Sequence, residues 1–285
     1  MSWLLAAAII KETMNDTSSS SGHAILSDEH DNNQQQNHTT VEIAPQQVSP
    51  LAPPPMPSEP NLPYIDLLQE NHREDYINVA VPLYEAAIKG DWKAAKHILH
   101  KNPHLIRFAI TESYETMLHV AAAAENTKAV QELVKNLVQL MKKEDLELQD
   151  DNYNTALGQA AKAGNTEIAM LLVEKNPELT EIPGAEYGMP LYMAALFEKP
   201  TMVRYLYGIS RRMSGPYWVD TNRGWVLLKC VEAEIFDVAI KIVTECPDLM
   251  DEKSLVTDVL LAMARNTQAF ERSRPVDEDS FINTS

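Results

Sequence analysis

Only two cysteines occur in the 285 residues, Cys230 and Cys246, sixteen apart and outside any CxxC spacing. That excludes a disulfide-stapled scaffold and a cysteine-rich zinc module, and with no signal-like start it points to a reducing compartment. Cationic residues are also short: 24 Lys and Arg against 41 Asp and Glu leave a net charge of −17. Binding a phosphate backbone needs clustered Lys and Arg, so nucleic acid is excluded as a partner. No apolar run reaches the roughly 18 residues that a membrane-crossing helix needs. The apolar stretch Trp3–Ile10 has no basic residue before it, so it does not read as a secretory signal. A short sticky start to a tail is favoured there over a weak membrane-surface anchor. GxGxxG, P-loop, GxSxG and HExxH spacings are absent. His97 and His100 could share a helix face, but no third metal ligand accompanies them, and an exposed polar face explains them better. No catalytic residue, metal site or cofactor is assigned, and a non-enzymatic role is expected.

What is present is periodicity. The stretch Asn154–Pro177 reads as two short helices. The first has Ala156, Leu157, Ala160 and Ala161 on one face; the second has Ile168, Ala169, Leu171, Leu172 and Val173. Gly164 supplies a positive-φ C-cap between them, Asn165 or Thr166 can cap the second helix, and Pro177 ends it. So short a pair is unstable alone and needs neighbours to cover its apolar face. The chain supplies them. Leucine anchors stand at Leu83, Leu118, Leu157, Leu191, Leu227 and Leu260, spaced 35, 39, 34, 36 and 33 residues apart. Small residues recur three and four positions later, at Ala86-Ala87, Ala121-Ala122, Ala160-Ala161 and Ala194-Ala195. Large aliphatics recur fifteen and sixteen later, for example Leu133-Val134 and Ile242-Val243. Proline closes several units, at Pro103, Pro177 and Pro247.

These columns, with Thr116-Met117-Leu118-His119 as the best-kept opening tetrapeptide, resemble the ankyrin repeat, whose unit is about 33 residues. The resemblance covers roughly Val81 to Phe270. Leu191–Arg212 and Leu260–Phe270 are further similar to the ankyrin half of plant membrane ankyrin proteins, which carry a C-terminal PGG transmembrane domain and are associated with stress and defence. That domain is absent from this sequence. The resemblance implies an all-α ankyrin-repeat solenoid of about five and a half repeats, with the missing Thr–His pair weakening the other openings.

Around the repeats (81–272), residues 1–63 read as a disordered low-complexity arm of serine, amide and proline tracts. Residues 1–80 hold two basic groups, Lys11 and Arg73, against eleven acidic ones. Residues 64–80 read as a lead-in that caps the stack, and 273–285 as an acidic tail. The run around Glu147, Asp150 and Asp151 lacks the calcium-loop pattern and reads as a solvated acidic loop. Met213–Gly224 reads as a long connection into a degenerate fifth repeat, and the sixth repeat keeps one helix.

Function is then sought on a surface. The resemblance places the positions five and six after each anchor on the concave side, which nominates Ile88, Lys89, Lys162, Leu196 and Phe197. Tyr114, Tyr153 and Tyr187 stand four before their anchors, where the ankyrin consensus has Gly. Tyrosine is enriched at interfaces, so these three either bind a partner or brace adjacent loops. The expected function is a protein–protein adaptor, in stress or defence signalling by resemblance, cytoplasmic or held at the plasma membrane through a partner. The alternatives are a regulatory subunit or fragment of a membrane-attached ankyrin protein, and an enzyme with an unrecognised site.

Overall fold

The computed structural model describes residues 60–210 and 213–265. The expected arm up to residue 59, with its Trp3–Ile10 run, and the acidic tail from residue 273 lie outside the described residues. Five helical pairs follow one another in the expected register. They are α1 (Val81–Lys89) with α2 (Trp92–Lys101), α3 (Met117–Ala123) with α4 (Lys128–Leu140), and α5 (Ala156–Ala163) with α6 (Thr166–Lys175). Next come α7 (Pro190–Leu196) with α8 (Pro200–Ile209), and α9 (Asp220–Glu232) with α10 (Phe236–Glu245). A last helix, α11 (Lys253–Arg265), packs on α9. No strand forms among the described residues; three isolated bridges tie loops together.

First helices pack on first helices (α1, α3, α5, α7, α9, α11), and second helices on second helices (α2, α4, α6, α8, α10). The result is two helical layers around one continuous core, because each amphipathic pair buries its apolar face only against the next pair. The anchors Leu83, Leu118, Leu157, Leu191 and Leu227 are all buried, as are the small residues after them. Small side chains there let successive first helices approach, while Leu133, Leu172, Leu206 and Ile242 fill the second layer.

Local signals explain where the helices stop. Gly90 and Gly164, each seven residues after an anchor, end α1 and α5 in the left-handed conformation (φ 70° and 82°). The same column holds Glu198 and Glu234, which adopt it without glycine (φ 54° and 58°). Pro103, Pro177 and Pro247 each open a short 3-10 turn after a second helix.

Several expectations are corrected. Asn165 occupies the N-cap position of α6, but its side chain makes no cap hydrogen bond; its amide donates instead to the carbonyls of Ala122 (2.7 Å) and Ala124 (2.8 Å), bracing one repeat against the one before it. Residues 60–63, assigned by composition to the arm, are ordered: Asn61 exchanges two hydrogen bonds with Gln149 (2.8 and 3.1 Å). The connection before the fifth repeat is shorter than expected, since α9 begins at Asp220 and contains Gly224. A Cβ at Gly224 would stand 3.0 Å from Leu255 Cδ2, so α9 and α11 pack closely at this glycine. In α11 the anchor is Val259, not Leu260. Val259 and Met263 are buried, whereas Leu260 and Ala264 face outward. A one-residue change of anchor turns a helix by about 100°, enough to exchange a buried side chain for an exposed one.

The acidic run is a solvated loop only in part: Asp151 is exposed and Glu147 half-buried, but Asp150 turns inward. Asp150 is 1% exposed, and its Oδ1 accepts from the backbone N–H of Asn152 (2.9 Å) and of Asn154 (2.8 Å) while Oδ2 accepts from Gln159. Asp145 is buried in an ion pair with Arg107, whose guanidinium lies 5.7 Å from the Tyr64 ring centroid. Each carboxylate is held by several donors, which is what keeps a charge tolerable at low exposure.

Candidate functional site

The first-helix layer and the loops that precede it carry the candidate residues. Loop geometry comes first. Tyr114, Tyr153 and Tyr187 all have positive φ (60°, 62° and 61°) and are half-buried. Each sits in a tight turn. In two of them the tyrosine N–H reaches back three residues, to the carbonyl of Thr111 or of Asp150 (both 3.0 Å). A bulky residue in the left-handed region costs roughly 1–2 kcal/mol against a glycine. The left-handed backbone was within reach of the sequence, since the ankyrin consensus has Gly at this column.

Behind these loops sits His119, fully buried, which the sequence offered only as part of a tetrapeptide. Its Nδ1 accepts from the Thr116 backbone N–H (3.2 Å) and lies 2.8 Å from Thr116 Oγ1. On the other side Nε2–H points at the carbonyls of Leu148 and Asn154, both 3.1 Å away in the next loop. These partners suit the neutral ring protonated on Nε2. Burial holds its pKa below the usual value, while Asp150 pulls the other way. The sign of the resulting pH dependence follows. Unfolding returns the ring to its ordinary pKa near 6.5, so the unfolded chain binds more protons below that value. The stability that neutral His119 provides is complete above about pH 6.5 and is lost as the pH falls through it, by up to about 1.4 kcal/mol per pH unit. Glu115, raised chiefly by burial, acts in the opposite sense in a window just above its ordinary 4.5. Urea titrations should therefore show a falling midpoint from pH 7.5 to 5.5. His119→Gln should be less stable at pH 7.5 but flatter across that range; an equal slope in the two proteins would assign the pH effect elsewhere.

Lys162, nominated as a groove cation, is half-buried. Burial lowers its pKa, opposed by the charges of Asp150, Glu115 and Asp151. Ile88 and Lys89 stand at the far end of the layer on α1, exposed, with Lys89 Nζ 2.8 Å from Glu85. Leu196 and Phe197 end α7 and are 38% and 47% exposed. The structure adds two neighbours that the spacing argument did not select: Tyr192, one turn before Leu196, and Trp225 on α9, with ring centroids 5.6 Å apart. Trp225 was hidden because Met213–Gly224 reads as loop, so nothing marked residue 225 as a helix-face position. The structure thus pairs Tyr192 with Trp225 at the α7–α9 step, with Leu196 and Phe197 exposed at the end of α7, and leaves the tyrosine column on the loops and Ile88–Lys89 on the first helix of the stack.

Sites for chemistry are sparse. Cys230 is fully buried, which pushes its thiol up to about 12, so it packs as a protonated hydrophobe. Cys230 and Cys246 are both free. Among the described residues, no cluster of three His, Cys, Asp or Glu could hold a metal ion. His97 and His100 are exposed on α2 along an open depression lined also by Asp91, Lys93 and Lys96. No helix of the described residues is long and apolar enough to cross a membrane.

A two-layer stack of helical hairpins with left-handed loop tips defines a repeat solenoid. The family model of ankyrin repeats, in three copies, matches residues 132–213. Together with helical pairs in the same register on both sides of that span, it makes the fold an ankyrin-repeat solenoid. Among solved structures, the human ASB11 ankyrin repeat domain is similar over 64% of this chain and 97% of that one, at 18% identity and a TM-score of 0.34. None of the curated proteins matches this chain.

Proposed function

We propose that the protein is a protein-binding adaptor whose partner docks at the α7–α9 step of the first-helix layer. Ankyrin repeats are a protein–protein interaction module, and the observation that carries the reading here is the cluster of Tyr192, Leu196, Phe197 and Trp225. An aromatic pair beside two outward-facing apolar side chains is the composition of an interface centre, where Tyr and Trp supply most of the binding energy. Its floor is rigid, because Leu191, Ala194, Ala195, Val226 and Leu227 beneath it are buried. The three tyrosine loop tips, Tyr114, Tyr153 and Tyr187, form a separate candidate contact on the loops. A cytoplasmic setting in stress or defence signalling, with recruitment to the plasma membrane through the partner, is the reading that the resemblance of Leu191–Arg212 and Leu260–Phe270 supports.

The test uses the full chain as bait in quantitative co-purification, as wild type, as Leu196→Glu/Phe197→Glu, and as Met170→Glu, an equally exposed apolar change on α6. The α7 double variant should lose a partner that the Met170 variant keeps, and the purified partner should then bind the double variant at least tenfold more weakly. Identical recovery by all three baits would overturn this site.

A further inference from the structure

A short extended segment, residues 61–64, lies across the bases of the first two loops. Tyr64 pairs in parallel with Phe108: its N–H donates to the Arg107 carbonyl (2.9 Å), and its carbonyl accepts from the Ala109 N–H (2.8 Å). Three residues earlier, the Asn61 carbonyl accepts from the Gln149 N–H (2.8 Å), and the Asn61 N–H donates to Gln149 Oε1 (3.1 Å). Arg107 and Ala109 precede α3 and Gln149 precedes α5, so the segment straps two successive repeats. Gln149 is fixed for this contact. It is 5% exposed, and its Nε2 donates to the Tyr153 carbonyl in its own loop and to the Pro183 carbonyl in the next, which leaves Oε1 for the strap.

The seat reads each position differently. Position 61 is held through backbone atoms alone, so any residue with an N–H serves there. Leu62 faces outward, 40% exposed. Pro63 is buried, and the pairing with Phe108 uses both backbone groups of Tyr64 and asks no N–H of residue 63. Proline therefore fits, and it brings an already extended backbone. Tyr64 lays its ring 5.3 Å from the Phe108 ring and 5.7 Å from the guanidinium of Arg107, which the buried Asp145 holds in place. Together these positions describe a groove for an extended x-x-Pro-aromatic segment.

The hold on the strap is slight. Four hydrogen bonds and one buried side chain stand against the entropy of ordering the segment, and Tyr64 is still 52% exposed. Leu67, in the turn Asp66–Leu68, is buried, so Ile65 can serve as the hinge while that turn stays in place. Lifting the strap bares the Arg107 carbonyl and the N–H groups of Ala109 and Gln149. That is an open strand edge, to which an extended peptide adds.

We propose that this groove binds an extended x-x-Pro-aromatic segment of a partner protein, and that residues 61–64 occupy it in cis as a competitor. The tethered strap acts at high effective concentration, so the partner's segment enters only as the strap opens. The groove is separate from the α7–α9 step, and its test does not depend on that surface.

Two measurements on the full chain decide it. In the wild type, amide exchange followed by nuclear magnetic resonance should be at least tenfold faster at Tyr64, Ala109 and Gln149 than at the buried Leu133 and Ala160, because the strap opens locally. The second uses a fluorescent peptide of residues 58–66. The Pro63→Ala/Tyr64→Ala chain, with its own strap weakened, should bind this peptide at least tenfold more tightly than the wild type does. Phe108→Ala added to that chain should remove the binding. A peptide carrying both alanines should bind neither protein. Exchange at Tyr64, Ala109 and Gln149 as slow as at Leu133 would overturn the proposal. So would a weakened-strap chain that binds the peptide no better than the wild type, binding that survives Phe108→Ala, or equal binding of the two peptides.

Discussion

Leu172→Ala is expected to lower the unfolding free energy by about 2–5 kcal/mol, the range for buried leucines whose cavity does not collapse. Leu172 lies in the middle of α6 with no exposed surface, between α4 and α8 in the second layer. Both neighbours are held elsewhere: α4 by Val130, Leu133 and Val134, α8 by Val203 and Leu206, all buried. Neither can move in to fill the space without losing its own packing. Met170→Ala on the same helix is the control, because Met170 is 47% exposed and its truncation should cost under about 0.5 kcal/mol. Lys162→Ala would be a poor control, since that lysine is half-buried. Chemical denaturation of the three proteins measures the difference. Equal midpoints for Leu172→Ala and Met170→Ala would mean that the face of α6 assigned to the core is wrong.

Gly90→Ala should be comparably severe, and for a different reason. Gly90 ends α1 at φ 70°, a conformation that costs an alanine roughly 1–2 kcal/mol. A Cβ there would also stand 2.4 Å from Ala129 C and from Val130 N, both backbone atoms of the next repeat. Backbone cannot rotate away as a side-chain end can, so α4 must shift as a body, and overpacking of that kind costs about 1–3 kcal/mol more. Gly164 separates the two contributions. It has the same left-handed φ, 82°, but its added Cβ meets Lys199 Cδ at 2.8 Å, the middle of a flexible chain. Gly164→Ala should therefore lose only the conformational part. Thermal or urea unfolding should rank Gly90→Ala clearly below Gly164→Ala. The reverse order would show that the α1–α4 contact yields more easily than the buried Ala95, Val130 and Leu133 around it indicate.

The sequence by itself determined the repeat. Leucine anchors, alanine pairs and aliphatic columns in phase fix both the number of helical pairs and the face each one buries, because a short hairpin has no other way to remove its apolar face from water. Gly164, Pro103 and Pro177 likewise announce their own conformations, through positive φ and the missing N–H. The partners of polar side chains were not legible there. Asp150 and Glu147 look alike in a run of acids, and only the fold turns Asp150 inward onto Asn152, Asn154 and Gln159. Asn165 looks like a cap and becomes a brace because the carbonyls of Ala122 and Ala124 happen to lie beside it. The register of α11 was decided by its packing against α9, which turns Val259 and Met263 inward and leaves Leu260 exposed. The candidate surfaces divide in the same way. Leu196 and Phe197 could be picked out by spacing, but Trp225 beside Tyr192 depends on where α9 begins, and the seat of residues 61–64 on where the fold brings Arg107, Ala109 and Gln149. Pro82 argues locally for a helix start, and tertiary packing of Ala80 and Leu83 carries the helix through it by way of a wide turn.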